Sequence, residues 1–239
     1  TFPELPVSVR IGVLAIDRLS LGPTIIGQPA VLGLNGSATV DGDQANIDVA
    51  LDRIDAGGRF EVALAYTNVD KMLDLALAFD EPADGLIVNL LGVPDRPEFS
   101  LRVSGAGPVN DLTTDIHLKT AGTDRLAGHI ALSGTEAGGT GFAADLSGDV
   151  TALFAPQYRP FFGPEVQIAA RGSRDANGAL SLTQMWLDAE MMSLGGQVEL
   201  NPAGWPLRLD LRGRIEHPDV GETALLPLPG AETRIGGAK

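Results

Sequence analysis

Strict two-residue alternation of apolar and polar side chains, repeated along most of the chain, is the feature that most limits its fold. In MLDLALAFD, Leu73, Leu75, Leu77 and Phe79 fall on one side; Asp74, Ala76, Ala78 and Asp80 fall on the other. An extended strand turns such a pattern into one greasy face and one wet or small face. RFEVALAY repeats it with Phe60, Val62, Leu64 and Tyr66 against Arg59, Glu61, Ala63 and Ala65. GQVEL sets Val198 and Leu200 against Gln197 and Glu199, and PLRLDLRGRI sets Leu207, Leu209 and Leu211 against Arg208, Asp210 and Arg212. TDIHLK and LAGHIAL, the latter with Ile130 and Leu132, continue it. The links between these runs are short and rich in turn residues: VDGDQ, DAGG, KTAGTD, RDANG, NPAGWP. Strands joined so closely pair antiparallel, which predicts a long meander.

Two interruptions look alike. DGLIVNLLGVPDRPEF reads as a short helix with Asp84 as N-cap, Leu86, Ile87, Leu90 and Leu91 on one face, and Gly92 as its stop. DVTALFAPQYRPFF reads as a second, with Asp149 as cap and then Val150, Leu153 and Phe154. Both run into Pro, Arg-Pro and an aromatic: Pro94, Arg96, Pro97 and Phe99, then Pro156, Arg159, Pro160 and Phe162, offset by about 63 residues. FSLRVSG is echoed by VQIAARG further along. These echoes predict an internal repeat of roughly 65 residues, with units 1–69, 70–138 and 139–214 and a tail or next unit at 215–239. The chain opens at Thr1 and closes on RIGGAK, and it reads as a piece of something longer.

A net charge of −14 argues against nucleic acid as a partner and against adsorption to an anionic membrane surface. With no cysteine there is no disulfide, thiolate metal site or cysteine nucleophile. His117, His129 and His217 lack converging ligands in sequence and read as sheet-face residues, so no metal is expected. No catalytic motif is present, and paired acids such as Asp80 and Glu81 are explained by solvation or capping at a strand end. The expectation is a chain that is not an enzyme and takes no cofactor. Tyr158, Phe161 and Phe162 read as packing for the second helix, with acyl-chain contact as the competing role. Arg96 and Arg159 read as caps for carbonyls in the proline links, with lipid head groups as the competing role.

A one-faced strand needs a cover. A sandwich or closed barrel covers itself; a transmembrane barrel uses lipid; a curled open sheet leaves a groove between its walls. With two Trp and two Tyr, the chain lacks the aromatic girdles of a transmembrane barrel. A lengthwise repeat favours the open curl, an elongated antiparallel sheet with an apolar interior and two short helices plugging its mouth. A β-sandwich is the alternative.

FDEPADGLIVNLLGVPDRPEFSLRVSGAGPVNDL and DLSGDVTALFAPQYRPFFGP resemble interior segments of the TamB family, of alphaproteobacterial type, within the AsmA-like proteins. IDRLSLG and SLTQMWLDAEMMSLGGQVEL resemble its recurring strand units. The resemblance implies a β-taco and a periplasmic bridge anchored in the inner membrane, the inner-membrane part of a translocation and assembly module. The implied work is moving phospholipid between inner and outer membranes, or supporting outer-membrane protein assembly with an Omp85-type partner. The anchor helix and any recognisable partner-binding segment are missing here, so that partner would be met outside this segment. On this reading phospholipid acyl chains lie along Phe60, Val62, Leu64, Leu73, Leu75, Leu77, Phe79, Ile130, Leu132, Val198, Leu200, Leu207, Leu209 and Leu211. The competing expectation is a non-enzymatic structural or interaction module whose core is filled by its own side chains.

Overall fold

A computed structural model of the chain describes residues 8–26, 28–135, 138–216, 223–225 and 234–236. It is all-β. The strands are β1 (Val9–Leu21), β2 (Ala30–Val40), β3 (Gln44–Arg53), β4 (Arg59–Thr67), β5 (Met72–Glu81), β6 (Phe99–Pro108) and β7 (Asp111–Thr120). They continue as β8 (Thr123–Gly134), β9 (Thr140–Gly148), β10 (Val166–Arg174), β11 (Leu180–Ala189), β12 (Met192–Leu200) and β13 (Pro206–Ile215). Among the described residues these thirteen form one sheet in chain order, with β1 and β13 at its two ends. The predicted meander is therefore the observed topology, and the two separate sheets of a sandwich are not. Two further short strands, β14 (Thr223–Leu225) and β15 (Arg234–Gly236), pair with each other.

The chain divides into two compact units, Thr1–Thr123 and Asp124–Lys239. In the first, register lines the apolar alternates up into rows across the strands. One row runs Leu34, Leu51, Phe60, Phe79, Leu101, Leu118. The next runs Val49, Val62, Leu77, Val103, Ile116. Alternation along each strand and matched register across strands together make the face continuous, because a one-residue slip would throw a whole strand to the other side. The second unit has its own rows, such as Leu132, Phe142, Gly172, Leu182, Val198, Leu209.

Helical insertions follow β1, β5 and β9, so one recurs after every fourth strand. They are α1 (Pro23–Ile26), α2 (Leu86–Leu90) and α3 (Arg159–Phe162). The sequence analysis anticipated the second and third and missed the one-turn α1. For α2 the helix and its stop are as expected, Gly92 taking a left-handed φ of 65° that glycine adopts without strain. Its cap and buried face are not. The N-cap is Gly85, and Asp84, itself at φ 61°, makes no side-chain cap. The acceptor comes instead from Glu81, whose carboxylate takes the N–H groups of Leu86 and Ile87, each at 2.8 Å. Val88 is fully buried, whereas Leu90 and Leu91 are 71% and 66% exposed. A helix this short is oriented by its two feet on the sheet, which leaves no freedom for its own apolar periodicity to choose the buried side.

The third insertion begins as 3₁₀ turns at Thr151–Leu153 and Pro156–Tyr158 rather than as an α-helix. Asp149 does act near its start: its Oδ1 accepts the Thr151 N–H and hydroxyl. That holds the Asp149 carboxyl below its ordinary pKa, with the Thr151 hydroxyl the main cause.

Candidate functional site

The candidate site is the apolar side of the strands, and its first part is a block on β4 and β5. Phe60 stands opposite Phe79, Val62 opposite Leu77, Leu64 opposite Leu75, and Tyr66 opposite Leu73. All the proposed residues of this block are half-buried, while their neighbours Arg59, Glu61, Ala63, Asp74 and Ala76 are exposed. The polarity read from the alternation is the one the structure shows here. Ile47, Val49 and Leu51 on β3, and Leu101 and Val103 on β6, extend the same face, although the sequence analysis left them out. Their signal was present: NIDVALD alternates as cleanly as the runs chosen.

One end of this block is aromatic. The Phe60 and Phe79 rings lie 6.2 Å apart, and Phe79 meets Phe99 edge-on at 5.9 Å. Glu81 follows Phe79 on the same side of β5, so the carboxylate that holds α2 fixes the start of that helix at the aromatic end of the apolar face. Ala50, Ala63, Ala76 and Ala78, with Asp48, Glu61 and Arg102, line a depression of about 830 Å³. All seven are alternates of the polar side, where small alanines lie between long charged side chains, and Val49, Val62, Leu77 and Val103 of the apolar row border the depression as well.

The second unit holds the remaining proposed residues. Ile130 and Leu132 lie on β8, Val198 and Leu200 on β12, and all four are half-buried. Leu209 is directly opposite Val198, and Leu211 opposite Gly196. Leu207, Leu209 and Leu211 are nevertheless exposed; among the described residues β13 is flanked by one strand in the sheet, β12. The row Leu132, Phe142, Gly172, Leu182, Val198, Leu209 connects the two groups, and Phe142 and Leu182 in it were not anticipated.

Polar alternates form cross-strand ion pairs. Arg59 contacts Asp52 and Glu61, each at 2.7 Å, and Arg102 contacts Asp80 at 2.7 Å. The Arg102 hydrogen bond is the main reason the Asp80 carboxyl lies below its ordinary pKa. Such exposed pairs fix side-chain positions more than they stabilise. His117 lies opposite Arg102 and His129 opposite Asp145, both on polar rows, and His217 falls outside the described residues. Among the described residues no group of three or more His, Asp or Glu is placed to hold a metal ion, and no helix is long and apolar enough to cross a membrane.

Of the aromatic cluster in the third insertion, Phe161 and Phe162 pack within the fold, and Tyr158 is half-buried. Phe161 is buried with Met191, Phe162 and Met192 lie against them, and Phe162 stacks on Phe154 at 3.8 Å. The Met191 N–H donates to the Phe161 carbonyl, docking α3 on the β11–β12 turn. Arg159 Nε donates to the Phe154 carbonyl at 3.2 Å, and Arg96 lies 3.4 Å from Asp84. No family model matches the chain, and neither do any curated proteins or solved structures.

Proposed function

We propose that this chain is a segment of a bridge between bacterial inner and outer membranes that carries phospholipid by its acyl chains along the apolar side of the sheet. The observation that carries the reading is the half-burial of the Leu/Val/Phe rows. These side chains are matched in register across successive strands, yet none of the block on β4 and β5 from Phe60 to Phe79 is fully enclosed except Tyr66. A structural module with a filled core would enclose them.

Acyl chains suit such a surface. Each methylene taken out of water stabilises by roughly 0.8 kcal/mol, so a chain of about 16 carbons gains on the order of 10 kcal/mol in a dry groove. Passage needs an even surface without one deep well, and rows of Leu, Val and Ile supply it. The short helices, recurring after every fourth strand, fit the role of plugs at one end of the face. The resemblance to TamB-like proteins points the same way and supplies the periplasmic setting, the inner-membrane anchor and the Omp85-type partner. A head-group role for Arg96 or Arg159 is less favoured, since each is engaged with Asp84 or the Phe154 carbonyl.

The test is photocrosslinking in cells with the full-length protein. A photoreactive residue at Leu75 captures phospholipid, identified by mass spectrometry, and one at the neighbouring Asp74 does not. Equal labelling at both positions, or none at Leu75, leaves the structural module as the surviving reading.

A further inference from the structure

On β3, β4, β5 and β6, register sets the apolar side in ridges that run across the strands. The first ridge is Leu51, Phe60, Phe79 and Leu101. The second is Val49, Val62, Leu77 and Val103, and the third is Ile47, Leu64, Leu75 and Gly105. Every residue of the three ridges is half-buried. The positions beyond them are closed. Past the first ridge, Glu81 and Phe99 are buried where α2 starts; past the third, Ala45 and Tyr66 are buried near the β2–β3 and β4–β5 turns.

Spacing decides which way the furrows between ridges run. Facing side chains on paired strands lie about 5 Å apart, whereas same-side residues along one strand lie about 7 Å apart. Side chains therefore touch across strands and part along them, and the furrows cross the strands. Three ridges between closed margins leave two open furrows. From β3 to β6 each is about 14 Å long at the usual strand spacing, close to the roughly 15 Å of hydrocarbon in one leaflet of a bilayer. We propose, on the reading that acyl chains bind this face, that the block is a seat for one two-chain phospholipid, its chains abreast in the two furrows and lying across the strands. A single chain leaves one furrow wet, and a chain laid along a strand has to climb three ridges.

The test compares two soluble lipids with the same number of acyl carbons, dioctanoylphosphatidylcholine and palmitoyl-lysophosphatidylcholine. Their gain on leaving water is nearly equal, so they differ in having two short chains or one long one. A photoreactive residue at Val62, on the ridge between the furrows, reports capture by the purified full-length protein, and half-maximal capture is read from a titration. Both lipids are expected to be captured. Leu75→Trp, which fills the furrow between the second and third ridges, raises the half-maximal concentration at least tenfold for the two-chain lipid and less than twofold for the single-chain one. Ile47→Trp, on the same ridge, repeats the result, and Ala76→Trp, on the exposed opposite side, changes neither. Circular dichroism shows that each variant is folded. Folded Leu75→Trp and Ile47→Trp variants that weaken both lipids alike, or neither, overturn the two-furrow seat and leave the acyl-chain reading standing. Capture of neither lipid by the parent overturns both.

Discussion

Glu81, the last residue of β5, accepts the N–H of Ile87 at 2.8 Å, and its other oxygen accepts that of Leu86. One buried carboxylate therefore satisfies two of the donors that a helix start leaves unpaired. Replacing it with alanine strands both, and the expected cost is about 1–3 kcal/mol. Glu81→Gln keeps one acceptor and falls between. Urea unfolding gives the ranking, and faster amide exchange at Leu86 and Ile87 in both variants locates the effect at α2.

Gly105 on β6 has room for no side chain: a Cβ there would lie 2.4 Å from the Thr113 carbonyl oxygen. The clash is with backbone of the neighbouring strand, which cannot move aside. Gly105→Ala is expected to destabilise by about 1–3 kcal/mol. Gly42→Ala, in open space, serves as control and should change unfolding by less than about 0.5 kcal/mol. Equal effects of the two substitutions would contradict the close approach of β7 to β6.

Acid titration should reveal the Arg102–Asp80 pair. The folded Asp80 carboxyl lies below its ordinary value of 3.8, chiefly through the hydrogen bond from Arg102. A carboxyl lowered on folding contributes stability that is present above 3.8 and lost as pH falls through the lower folded value. Asp149 acts in the same sense through Thr151. Arg102→Ala removes the main cause at Asp80, so the difference in stability between parent and variant should shrink below that window. A difference that stays constant from pH 7 to about pH 2 would show that the pair does not titrate with folding.

Two arginine substitutions separate folding from lipid capture. Leu209 is 62% exposed, so Leu209→Arg should change stability by less than about 0.5 kcal/mol. Leu75 is half-buried opposite Leu64, and Leu75→Arg should cost about 1–3 kcal/mol. If acyl chains follow the apolar rows, both variants lose outer-membrane integrity in cells, since a charge in mid-track costs several kcal/mol to bury. Wild-type integrity in both, with the proteins folded, would count against the lipid track.

Alternation in residues 60–66 and 73–79 was enough to determine strands, their facing and their antiparallel neighbours, because the side-chain period of a strand is local and short links fix the pairing. Gly92 as a helix stop was legible for the same reason, since it acts within a few residues; Asp149, expected to be the cap, stands one residue before the N-cap Val150 and accepts the Thr151 N–H from there. The sequence could not choose between Asp84 and Glu81 as the acceptor at α2, or between Val88 and Leu90 as its buried residue. Those depend on where the ends of β5 and β6 hold the helix. Nor could it distinguish the leucines of β13 from those of β4, which carry the same alternation. Among the described residues Leu207, Leu209 and Leu211 are exposed on the last strand of the sheet, and only the assembled strand order decides which strand has a neighbour on each side.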